Sequence, residues 1–398
     1  MAGVLFVSML IVLHVVVQAL SFVLFELDLS SKLSVMFLLT LYSLLAVWFL
    51  LNSIKMLGGP SSMAVIPAAG AQWMYLLLIG AVVLQVILRT YSASSGGIAG
   101  LEAGHYSGVL PDWIMYALFP SNPVIVLAAF CAFAGTRNGW NLRGITIAIV
   151  ILLFVVIFLS RSRATLLYLV SAFTIASSLG RSAGNISPRM LIIGSFLVLL
   201  LGIGSKMVIR SAGDVDVGNI VSDLGGRFLH GYIFEQMNYI GYFQEPNIRC
   251  FLVEVFSLNS ADCRFVLLHG NALGHFLNMV GSTDDFTGIH IPLAIDLISL
   301  FGFAAAPLGL ILFFVMVAGL LRLCPSNLGR RFYFCGVASL LPLVLDNQLY
   351  AAMVAVLSAF LFAIAIGLLI QVIRWLSPKY QIPAPRSQVD GQSSAESR

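Results

Sequence analysis

Residues 292–321 read PLAIDLISLFGFAAAPLGLILFFVMVAGLL, a stretch whose only charge is Asp296. About 20 apolar residues suffice to cross the hydrocarbon core of a bilayer, so this run exceeds what one straight crossing needs. Gly302 and Pro307 interrupt it. The pattern predicts a partial helix over 291–300 that reaches the membrane from outside, followed by a full crossing.

The rest of the chain repeats that signal. Of 398 residues, 60% are apolar and 10% charged, against ~25% charged in an ordinary soluble domain; a water-soluble enzyme of the usual kind is excluded. With 14 prolines and five cysteines, collagen-like and disulfide-scaffold classes are excluded too. Apolar runs fall at 2–25, 33–52, 71–88, 113–135, 144–159, 164–180, 190–208, 292–321, 332–346 and 348–373. The fourth contains Pro120 and Pro123, so its helix is expected to start near Ser121. The fold class is an all-α polytopic membrane protein of about ten transmembrane helices with a large helical outer loop. The division is seven transmembrane helices in 1–208, the loop in 209–291, three transmembrane helices in 292–376, and a polar, disordered tail in 377–398. The start lacks a basic n-region and a small-residue cleavage site, so 2–25 is read as a retained span.

Basic residues set the orientation. With both termini cytoplasmic, the inner side holds twelve of the 21 cations, among them Lys55, Arg322, Arg330 and Arg331, against two of the 17 acids, for +10. The outer side then has nine cations and fifteen acids, for −6, and the two sides sum to the chain's +4. So small and segregated an excess gives no argument for nucleic acid.

An arginine at the outer end of a span runs against this bias and needs a reason. Arg161 and Arg163 sit between two spans with almost no loop, Arg210 follows the seventh span, and Arg227 and Arg264 lie in the large outer segment. A guanidinium is a rigid donor fork suited to diphosphate oxygens; the alternative is that these groups reach lipid headgroups or pair with outer acids. Over 219–243, helical spacing puts Arg227, His230, Gly231, Phe234, Glu235 and Asn238 on a face about 140° wide. It offers a cation, an imidazole and a carboxylate, able to bind phosphate and take a proton from a sugar hydroxyl, or else it is a solvated face with an Arg–Glu pair. Tyr232 is suited to stacking on a sugar ring or to the membrane interface. Asn271 and His275 are placed at the outer cavity, expected where the large loop meets the membrane.

Other residues are less decisive. His269, His275, Asp284, Asp285 and His290 match no zinc signature, and no metal is assigned. Cys250 and Cys263 lie on the side where disulfides form; a bridge and two buried thiols both stay open. His14 alone of the six histidines falls inside a span. Asp296 is costly in an apolar helix without a partner; Arg163, Arg210 or the interface are its expected surroundings. Walker, dinucleotide and His–Glu–x–x–His motifs are missing and the inner loops are short, so glycan chemistry would use a lipid-linked donor on the outer face.

Two segments carry a resemblance. Ser162-Arg163-Ala-Thr-Leu-Leu, opening a span, is one. The other runs from Asn271-Ala-Leu-Gly-His275 through Thr287-Gly-Ile-His-Ile-Pro292 to the break at Phe301-Gly302 and on to Gly309. Both are similar to the O-antigen (oligosaccharide repeat-unit) polymerases of Gram-negative inner membranes, although the glycine often found beside that family's Ser-Arg is absent here. The resemblance implies a multi-pass protein of the bacterial inner membrane whose large loop is periplasmic. It further implies transfer of a growing glycan from polyprenyl diphosphate to the non-reducing end of a new lipid-linked repeat unit, with no metal, nucleotide or other cofactor. The partners would be a polyprenyl-diphosphate-linked oligosaccharide and a chain-length regulator. In that reaction Arg163, Arg210 and Arg227 would offset charge on the leaving diphosphate, with Glu235 or His230 as base. Arg161, Tyr232, Asn238, Arg264, Asn271 and His275 would bind substrate. An O-antigen ligase and a polysaccharide flippase or permease are the rival readings; a transporter lines the middle of its spans with polar groups, whereas these cations gather at the outer mouth.

Overall fold

A computed structural model of the protein describes residues 2–23, 29–57, 73–83, 121–133, 163–179, 292–346 and 349–376. The described residues form helices and the short turns between them: α1 (Ala2–Val23), α2 (Leu29–Met56), α3 (Trp73–Val83), α4 (Ser121–Phe133), α5 (Arg163–Leu179), α6 (Leu293–Leu323), α7 (Asn327–Val344) and α8 (Leu349–Leu376). Within them α1, α2, α6 and α8 are long and apolar enough to cross a bilayer. Together with the composition, this makes a helical membrane protein. The runs at 144–159 and 190–208, the segment 209–291 and the tail 377–398 lie outside the described residues.

The core is built around α7, which touches α1, α2, α4, α5, α6 and α8. From Arg331 to Leu345 every residue is buried. A helix screened by protein on all sides need not be uniformly apolar, and α7 carries Arg331, Gly336 and Ser339 along its length. By contrast α1 leaves Leu5, Met9, Val12, Leu13 and Val16 exposed at helical spacing, the stripe expected of a helix with one side against lipid. Phe49 against Phe334, Phe130 against Phe332 and Tyr333 against Phe360 interlock α2, α4 and α8 with the central helix.

Local chemistry explains the helix starts. α4 begins at Ser121, as expected, with Pro123 in its first turn, where no backbone hydrogen bond is lost. Ser326 caps α7 by accepting from the Gly329 N–H at 3.0 Å.

The expected break in α6 falls at Gly302, with φ 76° and ψ 167°, backbone that is essentially reserved to glycine. Pro307 is not a second break; it lies inside the helix that follows. Tyr333 donates to the Val317 carbonyl at 3.0 Å, which sets the second half of α6 beside α7 in antiparallel register. A straight α6 would carry Leu293 about 20 Å beyond the end of α7. Instead the Leu293 N–H donates to the Leu345 carbonyl at 3.1 Å. The half-helix before Gly302 is therefore folded back onto the α7–α8 junction, and the Phe301 ring lies over Gly309. Leu293 through Leu300 are buried on all faces, so this segment is lined by protein.

Helix ends sort into two groups. The Gly3 N–H donates to Ser178 Oγ at 2.7 Å, and Arg331 reaches the carbonyls of Leu57 and Leu179 at 3.1 and 3.4 Å. The start of α1, the ends of α2 and α5 and the α6–α7 junction thus meet at one end. The C-terminal part of α1, the folded-back half of α6 and the α7–α8 junction meet at the other.

Candidate functional site

The second of these ends holds buried polar side chains drawn from distant parts of the chain. Gln18 of α1 donates through Nε2 to the Leu345 carbonyl and to Asp346 Oδ1, each at 2.9 Å. His14, one helical turn away, places Nε2 3.4 Å from Asp346 Oδ2, while its Nδ1 stands 3.3 Å from the Leu10 carbonyl. Asp296 Oδ2 accepts the Leu349 N–H at 2.7 Å, capping α8 across from the α6 half-helix. Gln18 is 2% and Asp296 3% exposed. Among the described residues four buried oxygens have no hydrogen-bond partner: Gln18 Oε1 and Ser299 Oγ at this end, and Ser171 Oγ and Ser358 Oγ further along the bundle. Most buried polar atoms are paired, and Gln18 Oε1 is the unpaired one that sits beside the Asp346 carboxylate.

Arg163 opens α5 at this level. The Cys335 thiol donates to the Ala172 carbonyl at 3.4 Å and Tyr168 donates to the Gly336 carbonyl at 3.2 Å, so α5 and α7 run antiparallel. Nine residues before Ala172 is Arg163; nine residues after Cys335 is Val344. The backbone of Arg163 is accordingly level with the end of α7, next to Asp346 in depth. The remaining residues singled out from the sequence, Arg161, Arg210, Arg227, His230, Tyr232, Glu235, Asn238, Arg264, Asn271 and His275, lie outside the described residues, as do Cys250 and Cys263.

Asp296 is buried in protein, and its partner among the described residues is the Leu349 amide. Gln18 and Asp346 were not singled out from the sequence. The signal was available, since a glutamine and an acid interrupting apolar runs are costly and usually functional in a membrane protein. Among the described residues no group of three His, Cys, Asp or Glu side chains has the arrangement of a metal site. The cluster can orient a carboxylate by an amide, hold an imidazole beside it, and accept hydrogen bonds from a ligand's hydroxyl or a water.

No family model, no curated protein and no solved structure matches the chain significantly.

Proposed function

We propose that the protein is a membrane glycosyltransferase that polymerises polyprenyl-diphosphate-linked oligosaccharide repeat units on the periplasmic face of a bacterial inner membrane, in about ten spans. The observation that carries this reading is the shared depth of Arg163 and the Asp346 cluster at one end of the bundle. A lipid-linked donor needs a fixed cation for its diphosphate and a polar pocket for sugar hydroxyls at the same level in the membrane. Arg163 opens its helix where that cation is needed, and the residues following Asn271 resemble the polymerase pattern up to the Gly302 break. The charge division supports a cytoplasmic Arg331 end and, with it, a periplasmic Asp346 end. Arg163, Arg210 and Arg227 then offset charge on the departing diphosphate, and a chain-length regulator is the proposed protein partner.

The test is the surface-glycan profile of the native host lacking the gene. Loss of long chains with single repeats still attached is the expected result. Long chains unchanged would sink the reading, and loss of every attached repeat would replace it with a ligase.

A further inference from the structure

We propose that Gln18 and Asp346 form the subsite for the acceptor sugar's hydroxyl, with Asp346 as the group that takes its proton. The inference rests on the polymerase reading and deepens it. A hydroxyl needs one acceptor for its proton and can itself accept from a donor. Asp346 supplies a carboxylate fixed at Oδ1 by the Gln18 amide, with the His14 ring at Oδ2. Its side chain keeps 21% exposure, so a ligand can reach it. Gln18 Oε1 is an independent pointer: it belongs to a side chain 2% exposed, sits on an amide already anchored by Nε2 to the same carboxylate, and has no partner. Two donors already spoken for by Leu345 and Asp346 fix the amide's orientation, so the empty position is an acceptor's and calls for an incoming O–H or N–H.

A sugar ring presents adjacent hydroxyls, one able to donate to Gln18 Oε1 while its neighbour donates to Asp346. In the reaction the acceptor oxygen forms a bond to the anomeric carbon of the growing glycan. The bond from that carbon to the diphosphate oxygen breaks, the polyprenyl diphosphate leaves with the bonding pair, and the hydroxyl proton passes to the Asp346 carboxylate. Arg163, level with Asp346 on the neighbouring helix, serves the leaving group while Asp346 serves the nucleophile.

The experiment measures elongation per folded molecule in the deletion host complemented with Asp346→Asn, Asp346→Glu and Arg330→Ala. Asparagine keeps the shape and the Gln18 contact but removes the base. The expected result is a loss of at least about 100-fold for Asp346→Asn, partial recovery for Asp346→Glu and wild-type chains for Arg330→Ala. Normal long chains from Asp346→Asn at normal protein level would overturn the proposal while leaving the polymerase reading intact. If the deletion itself left long chains unchanged, the reading would fall first. Should the Asp346 variants not fold, a structure of the wild-type protein with a polyprenyl-diphosphate-linked repeat unit decides the matter. An acceptor hydroxyl at Gln18 and Asp346 supports the subsite, and one bound elsewhere overturns it.

Discussion

The two ends of the bundle solve the same problem in opposite ways. At the Arg331 end, polar groups are consumed in closing helices. Ser326 caps α7, the guanidinium of Arg330 donates to the carbonyls of Cys324 and Arg322, and Arg331 ties the C-termini of α2 and α5 to the central helix. A cation at helix C-termini is favourable both as a hydrogen-bond donor and toward the helix dipole. At the Asp346 end the backbone is broken at Gly302, two acids are drawn into the protein, and the Gln18 amide beside one of them keeps an unpaired oxygen. Natural proteins tolerate such departures mainly where function requires them. One end is a clasp, and the other is where the proposed site lies.

Substitutions can break or sharpen that contrast. The largest expected effect is at the Asp346 end. Arg163→Ala should leave the protein inserted and abundant yet cost 10²–10³ in elongation, roughly 3–4 kcal/mol, the scale of losing one placed donor to developing charge. Arg163→Lys should recover only part of it, since an ammonium keeps the charge and loses the fork. Glycan length on gels, normalised to protein level, reads both; normal chains from Arg163→Ala would make this arginine a headgroup anchor.

Arg331→Ala should act in the other way, lowering the amount of folded protein. Losing two hydrogen bonds from a charged group to buried carbonyls predicts roughly 3 kcal/mol, visible as a drop in thermal stability in detergent with activity per folded molecule retained. If elongation fell while stability held, the Arg331 end would have to be counted as part of the site.

Glycine replacements within α6 test the break. Gly302→Ala forces a side chain into backbone that L-residues avoid, at a cost of ~1–3 kcal/mol. Gly319→Ala meets nothing within 4 Å and should be neutral or stabilise by up to ~1 kcal/mol. Melting temperatures moving in opposite directions would support this assignment; equal shifts would count against the folded-back half-helix.

The smallest effects belong to the surface of the clasp. Arg330→Ala is expected to stay within ~0.5 kcal/mol of wild type. Burial pushes the Cys324 thiol up to about 11, against the opposing pull of Arg330. Below that pH the thiol stays protonated and poorly reactive. In a chain whose other cysteines are replaced, maleimide labelling of the native protein should be negligible at pH 8. Fast labelling at pH 8 would mean the α6–α7 junction opens.

The sequence by itself settled what depends on neighbours along the chain. Apolar runs of crossing length made the helices, Pro123 marked where α4 starts, and Gly302 marked the break in α6, because hydrogen bonding and backbone sterics act over a few residues. It also flagged Asp296 as an acid that needs a partner, without naming the right one. Only the tertiary structure decided that this partner is the Leu349 amide, that Gln18 anchors Asp346 across 328 positions, and that Arg331, which the charge count treated as one more cytoplasmic cation, is 2% exposed and holds three helices together. These are contacts between helices, and a bilayer-crossing helix presents several faces of nearly equal hydrophobicity, so its periodicity does not say which polar residue meets which. The folding-back of the α6 half-helix is of the same kind: glycine permits the turn, but the Leu345 carbonyl and the packed ends of α7 and α8 select its direction.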